Sequence, residues 1–420
     1  MNIWLINHYG HPPSAPGDAR HYSHARELIK RGHQVRIVAC SLLHLQQEQI
    51  VDVAQHAGWQ HTVHDGVPFT WLQAPKYRGQ SLGRVLNMLT FSWRVLRMQW
   101  ATGMNAPDLI LGSSPHPFAA LAAQRLARRF RVPFILEIRD AWPFVLTEIG
   151  GYSHHHPFVM LVDAVMRVLY RRAAAIVMFS RDSQPLLSRY GADPDKLVWI
   201  PHGVDFALSP QPDPAPISCF FTVSYIGAQN QWNSLDAILD AAKLLQVKGT
   251  EHVRFRLVGN GSMKANLMER VRTESITNVD FIDSVPKVEI RKLLHTSDAF
   301  ILNNRVDAVS REWMSFSKLY EYLAAGRPVI FGSCSSSDPV SESGAGMSVA
   351  ADDPKALAAA VTQLAQCTPA QRWAYGCLGR EHVEAFYSIP ALVDQFEDLA
   401  KRLTKAQESS FLASEDDSKR

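Results

Sequence analysis

Residues 1–40 read MNIWLINHYG HPPSAPGDAR HYSHARELIK RGHQVRIVAC, and this stretch decides the fold class. The apolar run Ile3 to Ile6 is short and ends at polar residues, as a buried strand does. A loop rich in His, Pro and Gly follows it. From about His21 to Lys30 the pattern is helical, and Arg31-Gly32-His33 closes the helix with Gly32 as its C-cap. Val35-Arg36-Ile37-Val38-Ala39 is a second strand. Strand, loop, helix, strand is the building block of a doubly wound parallel sheet.

Working outward, further strands are expected at Asp108 to Ser114, Pro133 to Arg139, Ala175 to Ser180 and Leu197 to His202, with helices between them. Pro210, Pro212, Pro214 and Pro216 then crowd one short stretch, which reads as an interdomain linker. After it the alternation restarts. Strands are expected at Phe220 to Gly227, Phe255 to Gly259, Val279 to Ile282, Ala299 to Asn303 and Pro328 to Gly332. Helices are expected at Ser234 to Leu245 and Ser317 to Ala325, and from about Pro354 to Leu403. The expected organisation is an N-terminal domain over 1–205, a linker over 206–217, a C-terminal domain with closing helices over 218–405, and a frayed polar tail over 406–420. Open parallel sheets bind ligands at the carboxyl ends of their strands, so two such domains facing one another create a cleft.

Composition narrows the class. Apolar residues are 46% and charged residues 20% of 420, which excludes a disordered or collagen-like chain. No apolar run is long enough for a membrane-spanning helix. The first residues carry neither a basic n-region nor a small-residue cleavage site, so a cytoplasmic protein is expected. Five scattered cysteines, Cys40, Cys219, Cys334, Cys367 and Cys377, fit a reducing compartment without a disulfide frame. The adjacent His154, His155 and His156 read as a solvated loop rather than a metal site. Residues 1–205 carry 21 Lys/Arg against 14 Asp/Glu, whereas residues 206–420 carry 22 against 26. The basic front half points to anionic ligands or an anionic surface, and the near-neutral total argues against nucleic acid.

Five segments bear on function. In Ser315-Phe316-Ser317-Lys318-Leu319-Tyr320-Glu321, Ser315 or Ser317 can cap a helix whose N-terminus suits a phosphate. A lysine in the first turn opposes the helix dipole, and an anionic ligand would account for Lys318 there. Glu321, one turn on, can accept hydrogen bonds from paired ribose hydroxyls; the alternative is a surface Lys–Glu pair. Glu137-Ile138-Arg139-Asp140 stands at a strand end. Arg139 can pair with a phosphate and Asp140 with a sugar hydroxyl, or the two can form a structural pair. In the first loop, Gly17 allows close backbone approach, and His8, His11 and Arg20 can meet an anionic ligand, or the stretch is a flexible surface loop. Between Gly66 and Pro107 there is no acidic residue. There Leu86, Leu89, Trp93, Leu96 and Trp100 recur at helical spacing, with Arg84, Asn87, Arg94 and Arg97 on the opposite arc. Such a basic amphipathic helix either lies on an anionic membrane surface or packs on its own domain. Gly259-Asn260-Gly261 lacks the third glycine of a dinucleotide fingerprint, which excludes a dehydrogenase reading and leaves a turn near a base or ribose.

Glu321-Tyr322-Leu323-Ala324-Ala325-Gly326-Arg327-Pro328-Val329 resembles the C-terminal signature of glycosyltransferase family 4, retaining enzymes of the GT-B fold. Arg31-Gly32-His33, Ile200-Pro201-His202-Gly203-Val204-Asp205 and Leu257-Val258-Gly259-Asn260-Gly261 resemble its other landmarks, in order. Ser317-Lys318-Leu319 and Arg139-Asp140-Ala141-Trp142-Pro143 resemble a subgroup similar to bacterial N-acetyl-L-fucosaminyltransferases of O-antigen and capsule synthesis. The resemblance implies two Rossmann-like domains and transfer of a sugar, deoxy or N-acetylated, from a nucleotide diphosphate to a lipid-linked saccharide. It implies a donor contact at Gly17, Gly227, Gly259, Ser317, Lys318, Leu319 and Glu321, catalytic roles for Arg139, Asp140 and Glu321, an acceptor-side role for His8, His11 and Arg20, and a UDP-linked donor in preference to a GDP- or TDP-linked one. No metal is implied. It further implies work at the cytoplasmic face of the inner membrane, through the 84–100 region. The sequence departs from the family where a diphosphate-gripping Arg and Lys usually follow the glycine: Gly227 is followed by Ala228, and Asn233 stands at the second place. Trp313 replaces the first signature Glu. These departures leave open a nucleotide-sugar epimerase of the same architecture, or a non-catalytic partner protein.

Overall fold

The structure is a computed structural model and describes residues 1–420 except 16–18, 44–48, 52, 54–57, 80–81, 208–217, 286 and 419–420. The four clustered prolines and Gly17 therefore lie outside the described residues. The chain forms two compact units, Met1–Pro201 with Ile389–Arg420, and His202–Ser388.

The first unit runs β1 (Asn2–Ile6), α1 (Arg20–Lys30), β2 (Gln34–Cys40), β3 (Trp59–His64), β4 (Val67–Leu72), α2 (Leu82–Arg97), β5 (Leu109–Ser113), α3 (Pro117–Phe130), β6 (Phe134–Glu137), α4 (Pro157–Arg172), β7 (Ala175–Met178), α5 (Ser183–Arg189) and β8 (Leu197–Trp199). Its sheet has the order β3-β4-β2-β1-β5-β6-β7-β8. Every pairing is parallel except β3 with β4. Ile3, Leu5 and Ile6 are buried because a central parallel strand is covered on both faces. The β3–β4 hairpin is absent from the expected strands, although His64-Asp65-Gly66-Val67 carries its signal. Asp65 and Gly66 both have positive φ, 47° and 85°, the pair of angles a two-residue hairpin turn requires.

The second unit runs β9 (Phe221–Ile226), α6 (Leu235–Val247), β10 (Val253–Val258), α7 (Lys264–Thr273), β11 (Val279–Ile282), α8 (Lys287–His295), β12 (Ala299–Asn303), α9 (Ala308–Glu312), α10 (Ser317–Ala324), β13 (Val329–Gly332), α11 (Pro339–Ser343), β14 (Gly346–Val349), α12 (Pro354–Gln366) and α13 (Pro369–Phe386). Its all-parallel sheet has the order β11-β10-β9-β12-β13-β14. The strand order reverses between β1 and β5 in the first unit and between β9 and β12 in the second. Crevices form at the carboxyl ends of such switch points.

The last helix, α14 (Ile389–Ser418), corrects the expected domain boundary at 405. It belongs to the first unit, where Leu392, Val393, Phe396, Leu399 and Ala400 join the core of β1, β2 and α1. Polar contacts hold it as well. Arg31 donates to Asp394 at 2.6 Å, to Glu397 at 3.0 Å and to the Pro390 carbonyl at 3.1 Å. His33 meets Glu397 at 3.1 Å. The stretch 406–418, expected to fray, continues this helix.

Candidate functional site

At the switch point of the second unit, the chain leaves β9 through Gly227. Tyr225 and Tyr322 fix this exit by its backbone: the Tyr225 hydroxyl donates to the Ala228 carbonyl at 2.6 Å, and the Tyr322 hydroxyl donates to the Ile226 carbonyl at 2.9 Å. The Ile226 N–H donates back to the Tyr322 hydroxyl at 2.7 Å. Tyr322 is buried against Phe300 and so anchors α10 on the end of β9.

That anchoring brings Lys318, in the first turn of α10, across Gly227. A Cβ at position 227 would lie 2.1 Å from Lys318 Cε, so a side chain there would push the lysine end aside. The ammonium lies 3.5 Å from the Tyr225 hydroxyl. Burial pushes it toward the neutral form, and Glu321 opposes that shift. The N-cap position of α10 is Phe316, whose side chain makes no capping hydrogen bond. Ser317 and Glu321 are exposed on the same helix, while Leu319 points into the core.

Gly259 has a different reason for being glycine. Its φ is +132°, and a Cβ there would lie 2.1 Å from the Gly227 carbonyl oxygen. A Cβ on Gly261 would lie 2.1 Å from the Gln229 carbonyl oxygen. The loops after β9 and β10 thus pack backbone on backbone. Gln229 ties them, donating to the Gly259 carbonyl at 3.0 Å. Lys264 donates to the same carbonyl at 3.0 Å and to Asp283 at 2.6 Å. Asn233, where the family resemblance expects a lysine, donates to the Ala228 carbonyl at 2.8 Å and to Asn230 at 2.7 Å. It shapes the loop that a basic residue would otherwise line.

In the first unit, the site edge holds His8 and Tyr9 after β1, His116 after β5, and Arg139 and Asp140 after β6. His8 is buried, with Nδ1 2.7 Å from His116 Nε2. His116 Nδ1 accepts the Ala119 N–H at 3.3 Å and so caps α3. Burial, aided by the Arg84 charge, pushes His116 down to about 3, so its one proton sits on Nε2 and faces His8. The Tyr9 hydroxyl lies close to Tyr77 and Arg84, and burial pushes its pKa up. Burial lifts the Asp140 carboxyl to about 6, against the pull of the Arg139 and Arg84 charges. The Arg139 guanidinium lies 5.5 Å above the Phe179 ring. His11 is buried in the first loop.

Arg20 is not on the loop surface. It is buried, its guanidinium 4.7 Å above Phe179, with Nε 3.3 Å from Glu137 Oε2 and donors on the carbonyls of Ile200 and Pro201. The expected contact with an acceptor gives way to an internal ion pair, because Glu137 is a fully buried carboxylate that needs a cation. Burial raises Glu137, but His21, Arg20 and Arg139 hold it well below the ordinary carboxylate range.

Sequence reasoning missed His116, Tyr225 and Tyr322, and placed Arg84 on a solvated arc. His116 had a local signal, a polar residue directly before Pro117 at a helix start. Arg84 had none, since its partners come from residues 9, 116 and 140. Among the described residues, no three His, Cys, Asp or Glu side chains converge as a metal site would require.

Two Rossmann-like units with sites at their switch points define the GT-B architecture. Residues 19–203 match the model of a glycosyl transferase 4-like domain, and residues 221–367 match that of glycosyl transferases group 1. Together these cover most of the chain, which is a glycosyltransferase of the GT-B fold and family 4-like type. Solved structures agree on the fold. A sucrose-phosphate synthase from Thermosynechococcus elongatus is 17% identical with a TM-score of 0.71, covering 97% of this chain and 100% of its own. HepE of Anabaena, in complex with UDP-glucose, is 15% identical with a TM-score of 0.63, covering 96% and 100%. WaaG, a glycosyltransferase involved in lipopolysaccharide biosynthesis, is 14% identical with a TM-score of 0.61, covering 96% and 100%. No curated protein matches the chain closely enough to serve as a relative.

Proposed function

We propose that this glycosyltransferase moves a deoxy or N-acetylated hexose, with retention, from a UDP-linked donor to a lipid-linked saccharide at an anionic membrane surface. The observation that carries the donor half is Lys318 lying across Gly227 at the start of α10. A diphosphate there would meet the positive helix end and one ammonium. This replaces the basic pair that Ala228 and Asn233 displace. Glu321, one turn along, holds the ribose and with it the reacting bond. As charge develops on the departing diphosphate, Lys318 and α10 stabilise it, and a donor phosphate oxygen takes the acceptor proton on the same face.

The acceptor half belongs to the first unit. Asp140 accepts a sugar hydroxyl, Arg139 meets a phosphate, and His8, His11 and the loop with Gly17 shape the acceptor side. The face of α2 supports the membrane reading. Leu82, Leu86, Leu89 and Trp93 are 88, 56, 45 and 51% exposed in one stripe. Asn87 is turned inward to the Pro75 carbonyl at 2.7 Å, and Trp100 is buried on Trp4. Exposed Met160 and Leu161 on α4 extend the apolar surface, and Arg125, Arg128 and Arg129 on α3 are exposed between these helices in the layer. Apolar side chains with a basic surround suit an anionic bilayer. No helix among the described residues is long and apolar enough to cross a membrane.

The test is release of UDP from UDP-sugars, with and without lipid-linked saccharide on phosphatidylglycerol vesicles. Acceptor-dependent release that vanishes in Glu321→Ala supports the reading. Turnover of the donor alone into an isomer would favour an epimerase, and no turnover with any sugar would favour a non-catalytic partner.

A further inference from the structure

Glu137 is a buried carboxylate, and a buried charge must be met by its neighbours. At the start of α1, two consecutive residues divide its carboxylate between them. Arg20 Nε lies 3.3 Å from Oε2, and His21 Nε2 lies 3.0 Å from Oε1. Ser113, on the neighbouring strand β5, donates to Oε1 at 2.8 Å. Both partners then reach further. The other donors of Arg20 go to the carbonyls of Ile200 and Pro201, and Pro201 is the last residue before the chain leaves the first unit. The other nitrogen of His21 lies 2.9 Å from Asn7 Nδ2.

The direction of that last bond is fixed by its neighbour. The Tyr9 N–H donates to Asn7 Oδ1 at 3.1 Å, so the amide must present its NH2 group to His21 Nδ1. Nδ1 accepts, and Nε2 faces Glu137 Oε1 at 3.0 Å as an ion-pair contact. One continuous set of polar contacts therefore runs from the Tyr9 backbone through Asn7, His21, Glu137 and Arg20 to the backbone of Ile200 and Pro201. Asn7, His21, Glu137 and Arg20 are all buried, so no member can turn away without leaving a charge or a donor unsatisfied away from water.

We propose that Asn7, His21, Glu137 and Arg20 act as one positioning unit, which couples the conformation of the first loop at residues 7–10 to that of the outgoing chain at residues 198–204. This goes beyond the proposed function and does not depend on the identity of donor or acceptor. The four residues touch no substrate; they set where His8 and Tyr9 sit and hold the end of the first unit. Whatever displaces the loop is then felt where the chain departs, and the reverse holds by reciprocity.

Hydrogen–deuterium exchange on the full chain tests this. Asn7→Ala removes only neutral hydrogen bonds at the loop end. It is expected to raise exchange about tenfold both at 8–10 and at 198–204, the size of effect that losing one buried hydrogen bond brings. Arg20→Lys keeps the charge but releases the two carbonyls, and is expected to raise exchange at 7–10 as well as at 198–204. Amides of β10, in the second unit, stay at their wild-type rates in both variants. Changes confined to each variant's own end would overturn the coupling. If Arg20→Lys loosens the whole first unit, seen as loss of protection in β5, the Asn7→Ala result alone decides.

Discussion

The two units share the order of their central parallel strands and a switch point, yet the loops around those points are built from different materials. In the second unit the loops are backbone packed on backbone. Gly259 and Gly261 permit it, and two tyrosine hydroxyls and Asn233 grip main-chain carbonyls. In the first unit the corresponding edge is made of side chains: His8 on His116, Tyr9 with Tyr77 and Arg84, and Glu137 with Arg20 and His21. Backbone construction leaves a frame that, on the proposed function, would hold a phosphate at a helix start beside one cation. Side-chain construction leaves titratable groups whose charges depend on one another. On this account, a change in the first unit alters stability and pH behaviour, while a change in the second alters ligand binding or loop shape.

The largest expected effect is in the first unit. Glu137→Ala leaves the Arg20 charge buried without its partner and is expected to cost about 3–5 kcal/mol in urea unfolding, followed by exchange of the β5 amides. The pH dependence follows from the same residue. Its folded value lies well below the ordinary 4.5, so its stabilisation is complete above about 4.5 and is lost as pH falls toward the folded value. Glu137→Gln should flatten that acid-side loss. An unchanged acid transition would show that the carboxylate is not the group that matters there.

The two glycines of the second unit divide the comparison more finely. Gly259→Ala meets a carbonyl oxygen that cannot yield and forces alanine to φ +132°, for an expected loss of about 2–3 kcal/mol in stability. Gly227→Ala meets only the flexible end of Lys318. It should leave the unfolding midpoint nearly unchanged and weaken UDP binding by about tenfold, as the ammonium is pushed aside. Equal losses of stability in both variants would erase the distinction between them.

The smallest effect carries the opposite sign. Asp140 is lifted from 3.8 to about 6, so ionising it in the folded chain carries a cost that grows between those values and is complete at neutral pH. Asp140→Asn is expected to stabilise the first unit by about 1–2 kcal/mol at pH 7 while lowering sugar transfer. Destabilisation would mean that Asp140 is a structural partner of Arg139 and not a group kept for an acceptor.

The same contrast explains what was legible in the sequence. The strand–loop–helix–strand unit of residues 1–40 and its later repetition foretold both sheets, because parallel strands buried on two faces read as short apolar runs. Gly227, Lys318 and Glu321 stood out because a loop and the start of a helix are local in sequence. Arg20 was assigned to an acceptor because its burial depends on Glu137, Ile200 and Pro201, which lie far along the chain. For the same reason α14 was given to the second unit: its apolar stripe shows that it packs, but not on which sheet. Arg84 could be placed on a helix arc, though not against Tyr9 and Asp140. Side-chain assemblies drawn from distant positions leave no spacing to read.

The central claim is that one lysine and one helix start replace a basic loop in holding the donor diphosphate. Calorimetric titration of UDP, GDP and TDP into the wild type and Lys318→Ala, with a metal chelator present, tests it most directly. The account predicts that UDP binds the wild type with chelator present and that the variant loses about 10- to 100-fold in affinity, the worth of a charge-assisted contact. UDP binding that is equally tight in Lys318→Ala would contradict it, and would place the diphosphate elsewhere.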